Sequence, residues 1–481
     1  MTIVLSTVFA LGTIGAAGAV VVLTLTGVTR MPSFRGALPW ALAFIFGMGV
    51  ISLQMFFYAL FALPMNRLSI ALPWWVALAG MGWTWRRRHF LREHQRPPSA
   101  PPHTAMSAFL AGIVAVQVGY CLVFATSRPV VSWDGWAIWF LKAKAFFASS
   151  GLPTAHFFAS VDPHPDYPLL TPLTVAWHYL CLGVADEQIA KILFPLTFLA
   201  LLMLFYSLLR EETGSPHAWF FTALLALTPF AVFHAGGVIG LGAAGDYVGY
   251  ADLTLATYFF GATASMYRYL LVRDPRWLLV SFLCLGMGAW TKNEGLPYAI
   301  WGSVTLMIAA KHRRIGVAGL GVVALFIVPW GGFKMSAGFA NDILTQSQRP
   351  DFGKGIERLS TILAWGWRSA MQSGMHGLIW PLFVISAALN WRNVARSPLA
   401  PCVLLVGVQL GIYGMVYFIT PRDLEWHLAT SIDRVLLHLS PIALWIAGVN
   451  VYQLSVRIRG IGQGSRIEEA IPAERIGETS A

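Results

Sequence analysis

Apolar residues occur along this chain in long unbroken runs separated by short polar connections. Three of these runs, residues 3–27, 37–63 and 398–419, contain no Lys, Arg, Asp or Glu. A helix needs about 20 residues to cross the hydrocarbon core of a bilayer. The pattern therefore predicts an all-α polytopic membrane protein with about thirteen transmembrane helices.

Composition supports a membrane location and excludes several function classes. Of the 481 residues, 57% are hydrophobic and 11% are charged, whereas soluble domains carry roughly 25% charged residues. The net charge of +11 comes from basic residues in short connections, which orient a membrane protein, so no nucleic-acid partner is expected. The four cysteines lie in apolar segments without CxxC spacing. We therefore expect small buried residues, no metal site of cysteines and no bound cofactor, while a divalent metal stays open.

Four basic clusters predict the orientation of the chain. They lie at residues 86–96, 311–314, 392–396 and 457–466. The positive-inside rule places all four in the cytoplasm, which puts the N-terminus outside. The resulting divisions are N-terminal transmembrane helices at 1–105, a transmembrane core at 106–455 whose first outer loop is 127–188, and a cytoplasmic tail at 456–481.

Two apolar segments are not predicted to cross the membrane fully, because the orientation set by the basic clusters leaves no crossing for them. Residues 169–184 begin and end outside, so they predict an interfacial or re-entrant helix. Its Trp177, His178 and Tyr179 are expected at the headgroup boundary. Residues 356–370 receive the same assignment because they mix arginines and tryptophans with apolar residues.

The loops predicted to lie outside carry most of the unusual polar residues. In the first outer loop Asp134 lies between Trp133 and Trp136, and Lys142 and Lys144 follow on a helical stretch. Further outer positions are His164, Asp166, Tyr167, Tyr250, Asp252, Lys292, Glu294, His427 and Arg434. This combination suits a sugar carried on a lipid phosphate, because aromatic rings stack on sugars, cations bind phosphate and a carboxylate accepts a proton.

Structural explanations stay open for several of these residues. Trp133 and Trp136 fit an interfacial aromatic belt as well as a sugar platform. Lys142 and Lys144 fit snorkelling residues whose charged ends reach the membrane surface.

The later outer loops leave similar alternatives open. Lys292 and Glu294 fit a structural ion pair, and Asp252 begins a predicted span, where a helix cap is the ordinary explanation. His234 and His438 lie inside predicted spans and are expected to be packed histidines hydrogen-bonded to neighbours.

Four stretches together resemble the GT-C superfamily of membrane glycosyltransferases. They are Asp134, His164-Pro165-Asp166-Tyr167-Pro168-Leu169-Leu170, Gly249-Tyr250-Ala251-Asp252-Leu253 and Thr291-Lys292-Asn293-Glu294-Gly295. The chain looks most similar to the protein O-mannosyltransferase and lipid A aminoarabinose transferase branches, over residues 127–441. Members of the family commonly have Glu after the catalytic Asp, where this chain has Gly135.

The resemblance implies an inverting transfer of a sugar from a polyprenyl-phosphate donor to a lipid, glycan or protein acceptor. It implies Asp134 as the base and Asp166 as a second acid. The predicted donor-phosphate residues are Lys142, Lys144, Lys292, His427 and Arg434. The predicted sugar or acceptor residues are Trp133, Trp136, His164, Tyr167, Tyr250, Asp252 and Glu294. The expected location is the bacterial inner membrane, with the site facing the periplasm and membrane lipids as further partners.

Two other classes of protein share these features. A lipid-linked sugar flippase or transporter has many spans and polar residues, although the paired broken helices of related halves are not visible in the sequence. An envelope polymer ligase shares the lipid-phosphate chemistry and the outer site.

Overall fold

The computed structural model describes residues 2–27, 36–89, 104–238, 245–341 and 352–469, and the secondary structure in these ranges is helical throughout. The first helices are α1 (Thr2–Thr26), α2 (Leu38–Leu60), α3 (Arg67–His89) and α4 (Ala105–Thr126). A π-helix (Gly135–Phe140), α5 (Leu141–Ser149), α6 (Ala155–Ser160), α7 (Leu170–Leu182) and α8 (Glu187–Ala190) follow. Next come α9 (Leu193–Thr213), α10 (Ser215–Ala226), α11 (Pro229–Ala235), α12 (Asp252–Val272), α13 (Pro275–Thr291), α14 (Gly295–Ala309) and α15 (Arg313–Ala337). The last are α16 (Phe352–Met371), α17 (Ser373–His376), α18 (Ile379–Leu389), α19 (Trp391–Arg396), α20 (Leu399–Ile419) and α21 (Leu424–Glu469).

Seven helical stretches of the described residues are long and apolar enough to cross a bilayer. They are Ile3–Thr26, Leu38–Leu60, Ala105–Thr126, Glu187–Thr213, Arg313–Ala337, Leu399–Ile419 and Leu424–Ile458. Helices α10 and α11, bent by 68° at their junction, together make an eighth candidate. The chain is therefore an all-α integral membrane protein. The predicted count of about thirteen spans is not confirmed and stays a prediction.

Helices α1 and α2 pack closely together and join the rest of the bundle. A Cβ atom on Gly18 would lie 1.6 Å from the carbonyl oxygen of Ala43, so only glycine allows this contact between backbones. The indole of Trp290 in α13 donates to Ser52 Oγ in α2 at 3.0 Å. The N-terminal helices thus pack directly on the core, while residues 28–35 and 90–103 lie outside the described residues.

Helices α12 and α13 form an antiparallel pair whose two ends differ in chemistry. At one end Arg273 donates to the carbonyl of Ala309 at 3.1 Å, and the Lys311 amide donates to the Tyr269 hydroxyl at 3.0 Å. Asp252 begins α12 at the other end, 21 residues or about 30 Å away along the helix. The basic connections at Arg273 and Lys311 therefore lie at the opposite end of this helix pair from Asp252. Which end faces the cytoplasm stays a prediction from the charges.

Helix α7 is buried inside the protein. It has 13 residues, fewer than the roughly 20 of a full crossing. Trp177, His178 and Tyr179 are each 0% exposed, and the Trp177 indole donates to the carbonyl of Ala10 in α1 at 3.0 Å. These three side chains therefore contact protein rather than lipid headgroups, because α1, α2 and α5 pack against the helix. The interfacial or re-entrant position of residues 169–184 stays a prediction.

Helix α16 has one apolar face that the described residues leave exposed. The exposed side chains, spaced three or four residues apart, are Ile356, Leu359, Leu363 and Trp367. On the opposite face the Ser369 hydroxyl donates to Asp433 of α21. An amphipathic helix of this kind is typical of the membrane interface.

Candidate functional site

The centre of the candidate site is Asp252, the first residue of α12, whose side chain is fully buried. Its Oδ1 atom accepts from Lys292 Nζ at 2.9 Å and from His438 Nε2 at 2.9 Å. Its Oδ2 atom accepts from Arg434 Nη2 at 3.2 Å and Nε at 3.3 Å. The carboxylate does not cap its helix. Both of its oxygens instead hold two cations side by side, and the carboxylate lies behind them rather than at an exposed surface.

Arg434 connects this buried carboxylate to the first outer loop. Its Nη2 atom lies 2.8 Å from Asp134 Oδ2, and its guanidinium carbon lies 4.7 Å from the centre of the Tyr250 ring. The Asp134 amide donates to the Tyr250 hydroxyl at 3.2 Å, which fixes the position of the loop. The Asp134 side chain is 17% exposed and that of Arg434 is 16% exposed. A partly accessible carboxylate and a partly accessible cation thus lie in contact.

Two histidines that the sequence marked only as packed residues also face Asp252. Because carboxylates and carbonyls only accept, His438 Nε2 donates to Asp252, and His438 Nδ1 accepts from the Tyr413 hydroxyl at 2.9 Å. His234 Nδ1 donates to the carbonyl of Phe230 at 2.9 Å, and its Nε2 lies 3.9 Å from Asp252 Oδ2. Their position inside apolar segments was the signal that the sequence offered.

Lys292 and Glu294 form an ion pair that extends the cluster. Lys292 Nζ lies 3.0 Å from Glu294 Oε1 as well as contacting Asp252. Burial lowers the pKa of Lys292, but Asp252 and Glu294 outweigh it and leave this pKa above its usual value. Burial likewise raises the pKa of Glu294, and Lys292 outweighs it and leaves this pKa below its usual value. Both groups are therefore charged at neutral pH.

A second carboxylate, Asp166, lies fully buried next to this cluster. Its Oδ2 atom accepts from the side-chain amides of Asn293 at 2.6 Å and Asn341 at 2.8 Å. Its Oδ1 atom is buried and accepts a hydrogen bond from none of the residues in the described ranges. Asn293 lies between Lys292 and Glu294 in the chain and therefore connects Asp166 to this ion pair. Neither asparagine was among the predicted site residues.

Tyr167 lies beside the same cluster with aromatic rings around it. Its ring stacks with Trp139 at 5.6 Å and with His164 at 4.7 Å between centroids. Burial raises the pKa of Tyr167 well above its usual value, and the charges of Glu294 and Asp134 raise it further. The Tyr167 hydroxyl therefore keeps its proton at neutral pH.

The structure does not bring Lys142 or Lys144 into the Arg434 cluster. The fully buried Lys142 lies 3.2 Å from Asp162 Oδ1 and donates to the carbonyl of His164. Burial lowers the pKa of Lys142, with Asp162 partly offsetting it, and burial raises the pKa of Asp162. Lys144 lies 2.5 Å from Glu187, and its side chain is 46% exposed. Lys142 therefore anchors the proline-rich loop, and Lys144 lies at the surface.

The remaining predicted residues lie toward the rim. His427 precedes Arg434 by seven residues on α21, so both lie on one face, and His427 Nδ1 lies 2.9 Å from Thr420 Oγ1. Trp133 and Trp136 pack edge to face at 4.9 Å and are 61% and 44% exposed. Their exposure fits both the aromatic belt and the sugar platform.

Gly135, which follows Asp134 and begins the π-helix, touches a second loop. A Cβ atom there would lie 2.8 Å from Val130 Cγ1 and 3.3 Å from the carbonyl oxygen of Val248. Gly249 has a φ of +111°, and a Cβ atom on it would lie 3.2 Å from Gly135 Cα. The two loops meet backbone to backbone, so the Glu that the family commonly has after its catalytic Asp does not fit here without movement.

No group of three or more His, Cys, Asp and Glu side chains is arranged to hold a metal ion within the described ranges. All four cysteines are buried and free, as expected for small apolar residues.

The chain matches no protein-family model, no curated protein and no solved structure. The fold and the site therefore define the class: an all-α integral membrane protein with a cluster of charged side chains at one end of its bundle.

Proposed function

We propose that the protein is a membrane glycosyltransferase of the GT-C type. It moves a sugar from a polyprenyl-phosphate donor to an acceptor at the periplasmic face of the bacterial inner membrane. The observation that carries this proposal is the 2.8 Å contact between Asp134 and Arg434, whose guanidinium is also held by the buried Asp252. A proton acceptor and a phosphate-binding cation therefore lie side by side.

The reaction is an inverting displacement in which Asp134 is the base. Asp134 takes the proton of an acceptor hydroxyl or amine, and the lone pair of that atom forms the new bond to the anomeric carbon. The bond between the anomeric carbon and the phosphate oxygen breaks, and its electron pair leaves with the lipid phosphate. Arg434 and Lys292 stabilise the charge on the departing phosphate.

Asp252 explains how two cations are kept together before the donor binds. Lys292 and Arg434 approach the same carboxylate at 2.9 Å and 3.2 Å, which offsets their mutual repulsion in a buried place. When phosphate binds Arg434 Nη2, it displaces Asp134, which is then free to accept a proton. Asp252 is thus a positioning residue for the two cations.

The apolar face of α16 supports a donor that arrives through the membrane. Its exposed residues, Ile356, Leu359, Leu363 and Trp367, suit the outer lipid interface, and its other face contacts α21 one residue before Arg434. We propose that α16 is an interfacial helix beside the entry of the lipid-linked donor.

A transfer assay tests this function. Protein in liposomes is supplied with polyprenyl-phosphate sugars that carry a radiolabel on the sugar, together with a membrane extract containing candidate acceptors. A transferase moves the label from the donor lipid to a new product, and Asp134→Asn does not. A flippase only changes the leaflet of the labelled lipid, and a polymer ligase transfers label only from a lipid-linked polymer. Either of these results would overturn the proposal.

A further inference from the structure

Two carboxylates beside the Arg434 cluster are each anchored through one oxygen only. Asp166 Oδ2 is held by Asn293 and Asn341 at 2.6 Å and 2.8 Å, while Asp166 Oδ1 is buried and accepts from none of the described residues. Glu294 Oε1 is held by Lys292 at 3.0 Å, while Glu294 Oε2 is buried and likewise has no partner in the described part of the chain. Each side chain is therefore fixed in place and has one acceptor atom left over.

This arrangement differs from that of the other buried carboxylate. Both oxygens of Asp252 accept hydrogen bonds, from Lys292, Arg434 and His438, so Asp252 has no acceptor left for a ligand. Buried acceptors are almost always paired, because leaving one without a donor is unfavourable. The free oxygens of Asp166 and Glu294 therefore call for hydrogen-bond donors from a ligand.

Asn293 links the two anchored acids. Its side chain donates to Asp166 Oδ2 at 2.6 Å, and it immediately precedes Glu294 in the chain. Tyr167, which follows Asp166, stacks with both Trp139 and His164, which fixes this stretch of the loop. Carboxylate oxygens are common acceptors for sugar hydroxyls, because a charged acceptor makes a strong hydrogen bond.

We propose that Asp166 Oδ1 and Glu294 Oε2 accept hydrogen bonds from two hydroxyl groups of the transferred sugar and so select the donor. This inference rests on the proposed function and deepens it. It assigns Asp166 to sugar binding rather than to proton transfer. Asn293 and Asn341 are positioning residues, because they fix Oδ2 and thereby orient Oδ1 toward the ligand.

Donors in which fluorine replaces one hydroxyl at a time test this assignment, because fluorine cannot donate a hydrogen bond. The series starts from polyprenyl-phosphate glucose, mannose and 4-aminoarabinose and uses the sugar that is transferred. For the unmodified protein, donor affinity measured by competition is expected to fall about 10- to 100-fold at two hydroxyl positions, the loss typical of a hydrogen bond to a charged group. Other positions should change it by less.

Asp166→Asn and Glu294→Gln identify which acid binds which hydroxyl. In Asp166→Asn, the two asparagines keep the side-chain oxygen, so the new NH₂ group faces the sugar and tolerates fluorine. The loss caused by fluorine, here called the fluorine penalty, should therefore fall to about 3-fold or less at one position. Glu294→Gln should reduce the fluorine penalty in the same way at the other position. Donor affinity is measured by competition for each variant as well, so that a variant with slow turnover can still be compared with the unmodified protein.

Asp423→Asn is the matched control, because Asp423 is an exposed acid that accepts from the Trp426 amide at 2.8 Å. It should keep every fluorine penalty. Unchanged penalties in both Asp166→Asn and Glu294→Gln would overturn the inference while sugar transfer itself continued. If Asp166→Asn does not fold, Glu294→Gln decides alone, since the Glu294 side chain is 27% exposed. Absence of transfer from every donor by the unmodified protein would instead remove the proposed function.

Discussion

Replacing Arg434 with Lys separates the geometry of this cation from its charge. The guanidinium reaches Asp134 Oδ2 through Nη2 at 2.8 Å and reaches Asp252 Oδ2 through Nη2 and Nε at 3.2 Å and 3.3 Å. A lysine has one nitrogen at the end of a flexible chain. It therefore keeps the positive charge but cannot span both carboxylates in the same way.

The expected loss follows from the contacts that disappear. A hydrogen bond to a charged group contributes about 1.5–3 kcal/mol, and each 1.4 kcal/mol is roughly a factor of ten. Loss of one such contact to the departing phosphate predicts a fall in kcat/KM of about 10- to 100-fold for Arg434→Lys. Arg434→Ala also leaves the buried Asp252 short of one partner, which should cost about 3–5 kcal/mol of folding free energy. The lysine variant is therefore the more informative one.

Steady-state transfer with varied donor concentration, together with thermal unfolding, measures both effects. Arg392→Lys is the matched control, because Arg392 is exposed, with its guanidinium 5.4 Å from the Trp391 ring centre. We expect Arg392→Lys to keep kcat/KM within about 2-fold, since surface substitutions have small effects. Full kcat/KM in a folded Arg434→Lys protein, or an equal loss in the control, would refute the reasoning.

Three further predictions concern the surrounding structure. Lys142→Met and Asp162→Asn should each lower the free energy of unfolding by about 3–5 kcal/mol, and the double variant should regain most of this loss, because only the single variants leave an unpaired buried charge. Thermal unfolding measures these differences. A stable double variant that has lost donor affinity would return Lys142 to the donor site. In a cysteine-free background, Ala148→Cys should react with an impermeant maleimide on intact cells and Arg314→Cys only after permeabilisation, and the reverse would invert the topology. Brominated lipids should quench less fluorescence after Trp367→Phe than after replacement of a buried tryptophan, and equal quenching would place α16 away from lipid.

The apolar runs of the sequence located the long helices well, because the thickness of the bilayer imposes their length. The charge-free runs 3–27, 37–63 and 398–419 correspond to Thr2–Thr26, Leu38–Leu60 and Leu399–Ile419. Hydropathy could not decide whether the aromatic residues of α7 face lipid or protein, because both surroundings are apolar. Trp177 is buried because α1 and α2 cover it.

The membrane orientation inferred from the basic clusters predicted which polar residues lie on the same side of the membrane. It could not predict which of their atoms are in contact. Arg434 and Asp252 are 182 residues apart, and their contact depends on how α12 and α21 pack. Lys142 and Lys144 looked equivalent in the sequence, yet two positions apart on a helix point in different directions, so one is buried and one is half exposed. Asn293 belonged to a stretch that carried the family resemblance, but it received no role because an asparagine in a loop has many ordinary explanations.

Single-turnover sugar transfer by Asp134→Asn tests the central claim most directly. Excess protein is mixed with radiolabelled polyprenyl-phosphate donor and acceptor, and donor affinity and thermal stability are measured in parallel, with Asp423→Asn as the control. We predict a rate at least ~10²-fold lower than that of the unmodified protein. Donor binding should be unchanged or tighter, because asparagine competes less well than aspartate for Arg434. A folded Asp134→Asn protein that transfers sugar at the full rate would contradict the account, and Asp166 would become the next candidate for the base.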